Sequence, residues 1–88
     1  MREVINQEVS VVSYFSARKR LSLPHVVSWQ GREYGVGKIG FHHTVRNGDT
    51  LHHIYELVDS DEQLWMRINL DTSTLHWTLE AISDGMAD

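Results

Sequence analysis

Residues 64–70 are Leu-Trp-Met-Arg-Ile-Asn-Leu, and every even-numbered position among them is apolar. The odd-numbered positions follow the same rule in residues 75–81, Leu-His-Trp-Thr-Leu-Glu-Ala, and nearly so in residues 51–57, Leu-His-His-Ile-Tyr-Glu-Leu. Side chains of a β-strand point alternately to the two faces of a sheet, so a period of two over seven residues is typical of half-buried strands. The three segments therefore predict three strands, each with one apolar face.

The links between these strands are short and polar. Residues 59–62 are Asp-Ser-Asp-Glu, and residues 71–74 are Asp-Thr-Ser-Thr. Such residues favour turns because their side chains bond to nearby backbone groups, and loops this short join antiparallel strands. Four-residue links put all the apolar sets on one face of the sheet, with these neighbours: Leu57 and Leu64, Tyr55 and Met66, Ile68 and Trp77, Met66 and Leu79.

Two further hairpins are predicted upstream. The first turns at Gln30-Gly31, and the second turns near Asn47-Gly48, the dipeptide with the strongest hairpin preference. A two-residue turn at Asn47-Gly48 would put Phe41 on the face opposite the core. A three-residue loop over residues 46–48, with Gly48 in the left-handed region, keeps the apolar faces together and is preferred. It pairs Phe41 with His53 and Ile39 with Tyr55.

The predicted fold is all-β, a five- to six-stranded antiparallel meander that forms a small barrel or a half-open roll. Residues 9–15 contribute a first strand, Pro24 opens the second, and residues 1–82 make one domain, with residues 83–88 as a frayed tail. The predicted core consists of Val27, Trp29, Ile39, Phe41, Tyr55, Leu57, Leu64, Met66, Ile68, Leu75, Trp77 and Leu79.

Composition restricts the class of protein. With 88 residues, 41% hydrophobic and 23% charged, the chain suits one ordinary globular domain. It has no cysteine, the residues MREVINQEVS do not resemble a signal peptide, and no apolar run is long enough to cross a membrane. These features predict a cytoplasmic protein with no membrane partner.

Charge is distributed unevenly along the chain. Residues 1–50 carry seven basic and four acidic side chains, whereas residues 51–88 carry one basic and eight acidic side chains. Such asymmetry is found at interaction surfaces, although two sheet faces of different polarity would produce it as well.

Residues 35–40, Gly-Val-Gly-Lys-Ile-Gly, match the spacing of a dinucleotide-binding loop. That loop requires a helix after the glycines, and the residues that follow here are aromatic, β-branched and turn-forming. The glycines are therefore interpreted as bends or bulges in a curved strand. No set of nucleophile, base and orienting group is visible either, so the chain is predicted not to be an enzyme.

Six histidines raise the question of a metal site. Adjacent histidines on a strand point to opposite faces, so neither the pair at 42–43 nor the pair at 52–53 can chelate one ion. His52 and His76 are expected on either side of Asn69, with side chains that start about 10 Å apart. His43 and His53 are expected to face inward as core histidines. No metal and no cofactor are predicted.

A basic stretch, Arg18-Lys19-Arg20, follows the aromatic pair Tyr14-Phe15. Small β-barrels bind single-stranded nucleic acid by stacking bases on aromatic rings beside a basic groove. These five residues are therefore the candidate nucleic-acid site, and the alternative is a solvated connector. The acidic total of the chain works against strong affinity.

Trp65 lies on the strand face opposite Leu64 and Met66, and it is near Ile54 on the neighbouring strand. Large apolar groups on a solvent-facing surface mark partner surfaces. The candidate interface, for a protein partner or for a second copy, contains Ile54, Trp65 and Arg67 with Glu56 and Glu80 at its rim. In the alternative, the sheet closes or the segment with Tyr14 and Phe15 covers this face.

The segments Trp29-x-Gly-Arg-x-Tyr34-x-Val36 and Trp77-x-Leu79-x-x-Ile82 resemble those of small bacterial β-meander proteins of unknown function, over residues 25–82. Some of that group are similar to proteins encoded near DNA-damage polymerases. The resemblance implies a β-meander and brings no catalytic residue. The sequence therefore predicts a non-catalytic binding domain for protein contact or self-association, with weak binding of single-stranded nucleic acid as the alternative.

Overall fold

The computed structural model describes residues 2–84, and these residues form six β-strands and no helix. The strands are β1 Arg2–Ser16, β2 Leu21–Trp29, β3 Arg32–Asn47, β4 Thr50–Asp59, β5 Leu64–Asp71 and β6 Trp77–Asp84. Each strand runs antiparallel to the next, so the predicted all-β meander is confirmed. No helix suited by length and apolarity to crossing a membrane occurs in this part of the chain.

The sheet closes in a ring because two strands change partners along their length. Residues 2–9 of β1 pair with β6, and residues 10–16 pair with β2. Residues 32–35 of β3 pair with β2, and residues 36–47 pair with β4. Long strands that pass from one neighbour to another allow six strands to enclose a core of only modest size.

The interior is lined by the alternating apolar residues that the sequence pattern identified. Its buried members are Leu23, Val27, Tyr55, Leu57, Met66, Ile68, Leu70, Trp77 and Leu79, and Trp29, Ile39 and Leu64 pack against them. Two predicted core residues, Phe41 and Leu75, are exposed instead. Leu75 lies in the turn before β6 and has a positive φ, so its side chain is outside the strand alternation.

The predicted partners in β4, β5 and β6 are wrong by two residues, although the predicted face is correct. Leu57 pairs with Met66 and Leu70 pairs with Trp77. The first link is displaced because Asp59 remains in β4, where its Oδ1 accepts hydrogen bonds from the amides of Gln63 at 2.7 Å and Leu64 at 3.0 Å. A shift of two residues moves every side chain along the strand without moving it to the other face.

The turn at Gln30-Gly31 is confirmed, since both residues have positive φ and Trp29 pairs with Arg32. Gly48 also has the predicted positive φ. The predicted three-residue loop over residues 46–48 is wrong, because Asn47 pairs with Thr50. The two pairs that it implied are also wrong, since Phe41 pairs with Glu56 and Ile39 with Leu57.

The glycine-rich segment of β3 is a bulged strand, as the sequence predicted. The register with β4 shifts between Val36 and Lys38 and again between Ile39 and Phe41, at Gly37 and Gly40. The second shift turns Phe41 to the outer surface while Ile39 still faces the core. At Gly37 a Cβ atom would lie 2.6 Å from the carbonyl oxygen of Asp59, so a side chain has no room there.

The ends of the domain differ from prediction. β1 begins at Arg2, and Pro24 lies inside β2, opposite Ser13 and beside a register shift that accommodates it. Ser83 and Asp84, predicted to start a frayed tail, belong to β6, where Ser83 is buried. The rest of the predicted tail, residues 85–88, lies outside the described residues.

Candidate binding groove and histidine pair

A groove separates β2 from β3 where their pairing stops. The two strands are bonded only through residues 26–29 and 32–35. The edges of these two strands that face each other have no strand partner in the described chain over residues 21–25 of β2 and residues 37–47 of β3. The groove between them has a volume of about 280 Å³ and is lined by Lys19, Leu21, Leu23, Ile39, Gly40, Phe41 and His42.

A second groove, of about 330 Å³, lies on the other side of Phe41. Its lining consists of Lys38, Gly40, Phe41, Glu56, Leu57, Val58 and Trp65. The Phe41 side chain is 53% exposed and lines both grooves. The lining of the first groove also includes Lys19, and that of the second includes Lys38.

The residues predicted to contact nucleic acid lie together at the end of the β1–β2 hairpin. Tyr14 is 54% and Phe15 66% exposed, and the Tyr14 and His25 rings are nearly perpendicular, with centroids 6.3 Å apart. Arg18, Lys19 and Arg20 occupy the exposed turn, which is closed by a 2.6 Å hydrogen bond from the Arg20 amide to the Ser16 carbonyl oxygen. Lys19 connects this set to the first groove.

The exposure predicted for the Ile54 and Trp65 face is wrong. Ile54 is 2% and Trp65 4% exposed within the single chain. Ring closure explains the burial of Trp65, because β1 pairs with β6 beside it and the Arg2 guanidinium lies 4.3 Å from the centroid of the indole ring. The other predicted cover is not present, since Tyr14 and Phe15 point into solvent.

In that predicted interface, Arg67 forms ion pairs with both Glu56 and Glu80. Arg67 Nε donates to Glu80 Oε1 at 2.9 Å, and the Arg67 guanidinium lies 3.8 Å from Glu56. Asn69 Nδ2 donates to Glu80 Oε2 at 2.8 Å. Both oxygens of Glu80 are therefore engaged, and this half-buried network holds β4, β5 and β6 together on their outer face.

A row of aromatic rings lies at the end of the core beside the first groove. His42 Nε2 and His53 Nδ1 share a hydrogen bond of 2.8 Å, and the Tyr55 ring lies 4.8 Å from the His42 ring. The Tyr55 hydroxyl donates to the carbonyl oxygen of Ser22, which links β4 to β2. The Trp77 ring follows at 5.7 Å from that of Tyr55.

Burial changes the acidity of two of these groups. It raises the pKa of Tyr55 to about 12. Burial also lowers the pKa of His42. The neighbouring His53 and His43 lower it further, because positive charges on adjacent histidine rings repel one another. Both shifts favour the neutral forms of His42 and Tyr55.

The predicted orientation of one histidine is wrong. His42, not His43, faces inward, because the bulge at Gly40 exchanges the faces of the residues that follow it. His53 faces inward as predicted. His52 Nδ1 is 2.9 Å from Asn69 Oδ1, whereas His76 lies near Glu8 and not beside Asn69. Sequence reasoning missed the His42–His53 pair because it depends on the hairpin register.

In the described residues, no group of three or more His, Asp or Glu side chains converges as metal ligands do. Comparison with protein-family models, with curated proteins and with solved structures finds no match to this chain. The resemblance to small bacterial β-meander proteins stays a prediction.

Proposed function

We propose that this domain is a non-catalytic protein-binding module that accepts an extended polypeptide segment in the groove between β2 and β3. The observation that carries the proposal is the pair of facing strand edges, residues 21–25 and 37–47, which lack a ladder partner among the described residues. Exposed edges of this kind bind an added strand through backbone hydrogen bonds.

The two edges are not equivalent as partners for an added strand. Pro24 has no backbone N–H, which weakens the β2 edge. The β3 edge is interrupted at Gly37 and Gly40 but is regular from Phe41 to Asn47. The added strand therefore bonds to residues 41–47, and its side chains on one face enter the groove.

The lining of the groove specifies the chemistry of the partner. Leu21, Leu23 and Ile39 offer an apolar floor, and Lys19 at the rim is the charged residue of the lining. Among residues 2–84, no acidic side chain lines the groove. A segment with apolar residues at alternate positions and carboxylates between them matches this surface in shape and in charge.

The test uses a fluorescein-labelled peptide of alternating Glu and Val and the same peptide with alternate amides N-methylated. We expect the first to bind and to shift the backbone amide signals of residues 41–47 in NMR spectra, and the second not to bind because it cannot donate to the sheet edge. Equal binding of both peptides, or shifts confined to other strands, would contradict strand addition.

Self-association is tested on the same edge. Two copies that add to each other through residues 41–47 would form a dimer, which light scattering detects. The peptide would dissociate such a dimer if it uses the same edge. A dimer that persists at saturating peptide would show that the copies meet elsewhere.

A second candidate function has its own observation. Tyr14 and Phe15 are exposed next to Arg18, Lys19 and Arg20, an arrangement suited to stacking unpaired bases beside basic side chains. An oligothymidylate probe tests it by fluorescence anisotropy. Affinity for the oligothymidylate that falls steeply with salt and is lost in Phe15→Ala would support nucleic-acid binding. The proposed peptide binding predicts that Phe15→Ala leaves the affinity for the peptide unchanged.

A further inference from the structure

His42 and His53 are joined end to end across two adjacent strands. The nitrogens His42 Nε2 and His53 Nδ1 are 2.8 Å apart, the ring centroids are 5.1 Å apart, and the ring planes differ by 11°. The rings therefore share one hydrogen bond, in which one facing nitrogen carries the proton and the other accepts it. We propose that this histidine pair is an acid-sensitive contact: it accepts one added proton while closed, and a second added proton breaks it and releases the His42 side chain into the groove between β2 and β3.

The nitrogens of the two rings set this limit. A neutral pair carries one N–H on each ring, and one of these two protons lies in the shared hydrogen bond. A first added proton goes to the outer nitrogen of the donating ring, so the shared bond is kept and becomes charge-assisted. The acceptor of that bond is then the last nitrogen without a proton. A second added proton must go there, which puts an N–H on both facing nitrogens and a positive charge on both rings.

The surroundings of His42 offer no negative charge to offset that second proton. The groups around it are His53 and Tyr55 of β4, His43 of β3, Leu21 and Leu23 of β2, Leu70 of β5, Trp77 of β6 and, in the lining of the groove, Lys19. Among residues 2–84, no carboxylate lines the groove beside His42. Burial, then His53, then His43 lower the pKa of His42 below its usual 6.5, so the closed pair loses stability as the pH falls below that value.

The placement of the two rings indicates that His42 is the one that moves. It lines the groove and belongs to the part of β3 that, in the described chain, has no strand partner on the groove side. His53 lies on β4 between Thr44 of β3 and Leu70 of β5, so its strand is held on both edges. Release of His42 removes its ring from that of Tyr55, 4.8 Å away, which is fully buried in the closed form. The inference does not depend on the proposed peptide binding.

The test is an NMR titration of the full chain from about pH 8 to about pH 4, which covers the range where histidine titrates. Ring nitrogens and backbone amides are followed together. We expect both rings to respond in two proton-binding steps that are about one pH unit or more apart. The amide signals of Leu21, Leu23 and Tyr55 should move with the second step and not with the first. Movement of these signals with the first proton, or uptake of both protons with no movement at all, would overturn the proposal.

Two variants separate the pair from its neighbours. His52 is adjacent to His53 in sequence, but its ring bonds to Asn69, so His52→Gln is the control. In His53→Gln a single ring is left, and the glutamine oxygen can still accept a hydrogen bond from it after protonation. We expect one step at His42 and no later movement of the groove amides in His53→Gln, and both steps in His52→Gln. A second step that persists in His53→Gln, or that disappears in both variants, would contradict the proposal. If His53→Gln does not fold, the titration of the unmodified chain decides.

Discussion

Strands β4, β5 and β6 differ from the long strands β1 and β3 in how much of their surface is enclosed. In the first group, each strand has four buried positions and a partner on both sides. In the second group, most positions are exposed, and residues 10–16 and 37–47 are paired on one edge only. One region completes a core and the other presents edges and apolar side chains to solvent.

The exposed apolar side chains show the same division. Six of the seven large hydrophobic residues found exposed belong to β1 and β3: Val4, Val12, Tyr14, Phe15, Phe41 and Val45. In β4, β5 and β6, even the outer face buries Ile54 and Trp65. Surplus apolar surface is therefore concentrated where the sheet is incomplete, which is where a partner gains most by binding.

The largest expected effect comes from replacing one aromatic residue in each region with alanine. Trp65→Ala should lower the free energy of unfolding by about 3–5 kcal/mol, because the indole ring is buried beneath Arg2. Phe41→Ala should change it by less than about 0.5 kcal/mol, because Phe41 is already 53% exposed. Urea denaturation followed by circular dichroism measures both. Comparable losses would mean that Phe41 is enclosed in solution and that the division is wrong.

The two bulge glycines of β3 should respond differently to the same substitution. Gly37→Ala should cost about 1–3 kcal/mol, because the new methyl group would collide with the backbone of Asp59 and Ser60. Gly40→Ala should cost much less, since its nearest neighbour, the Glu56 carbonyl oxygen, would be 3.8 Å away. Thermal unfolding of both variants tests this. A larger loss of stability for Gly40→Ala would mean that the close approach of β3 to β4 is at Gly40 and not at Gly37.

The smallest expected effect concerns the link between the regions. Tyr55→Phe removes the hydrogen bond to the Ser22 carbonyl oxygen and should cost about 0.5–1.5 kcal/mol at pH 8. Burial raises the folded pKa of Tyr55 to about 12, above the usual value of 10.0, so the unfolded chain ionises first as the pH rises. The wild type should therefore lose its advantage over Tyr55→Phe between pH 10 and 12. An advantage that stays constant over that range would show that the phenol is not shielded from water.

Much of the fold was predictable because β-strand alternation is a local property. The apolar faces of residues 51–81, the turn at Gln30-Gly31 and the bulged glycine segment all follow from neighbouring residues. The register of β4 with β5 was wrong by two residues, because Asp59 bonds to the turn amides and lengthens the strand before it. Of the candidate site, the basic turn and its aromatic neighbours were found in sequence, but the groove beside them was not.

The sequence by itself determined the strand class and which face of most strands is apolar, since both depend on spacing along the chain. Only the tertiary structure decided that Trp65 is buried, that Phe41 is exposed and that His42 meets His53. The first depends on the pairing of the first strand with the last, and the other two depend on the bulge at Gly40 in the pairing of β3 with β4. Such pairings join residues distant along the chain, and a single bulge reverses the face of all that follows it, so local patterns do not specify them.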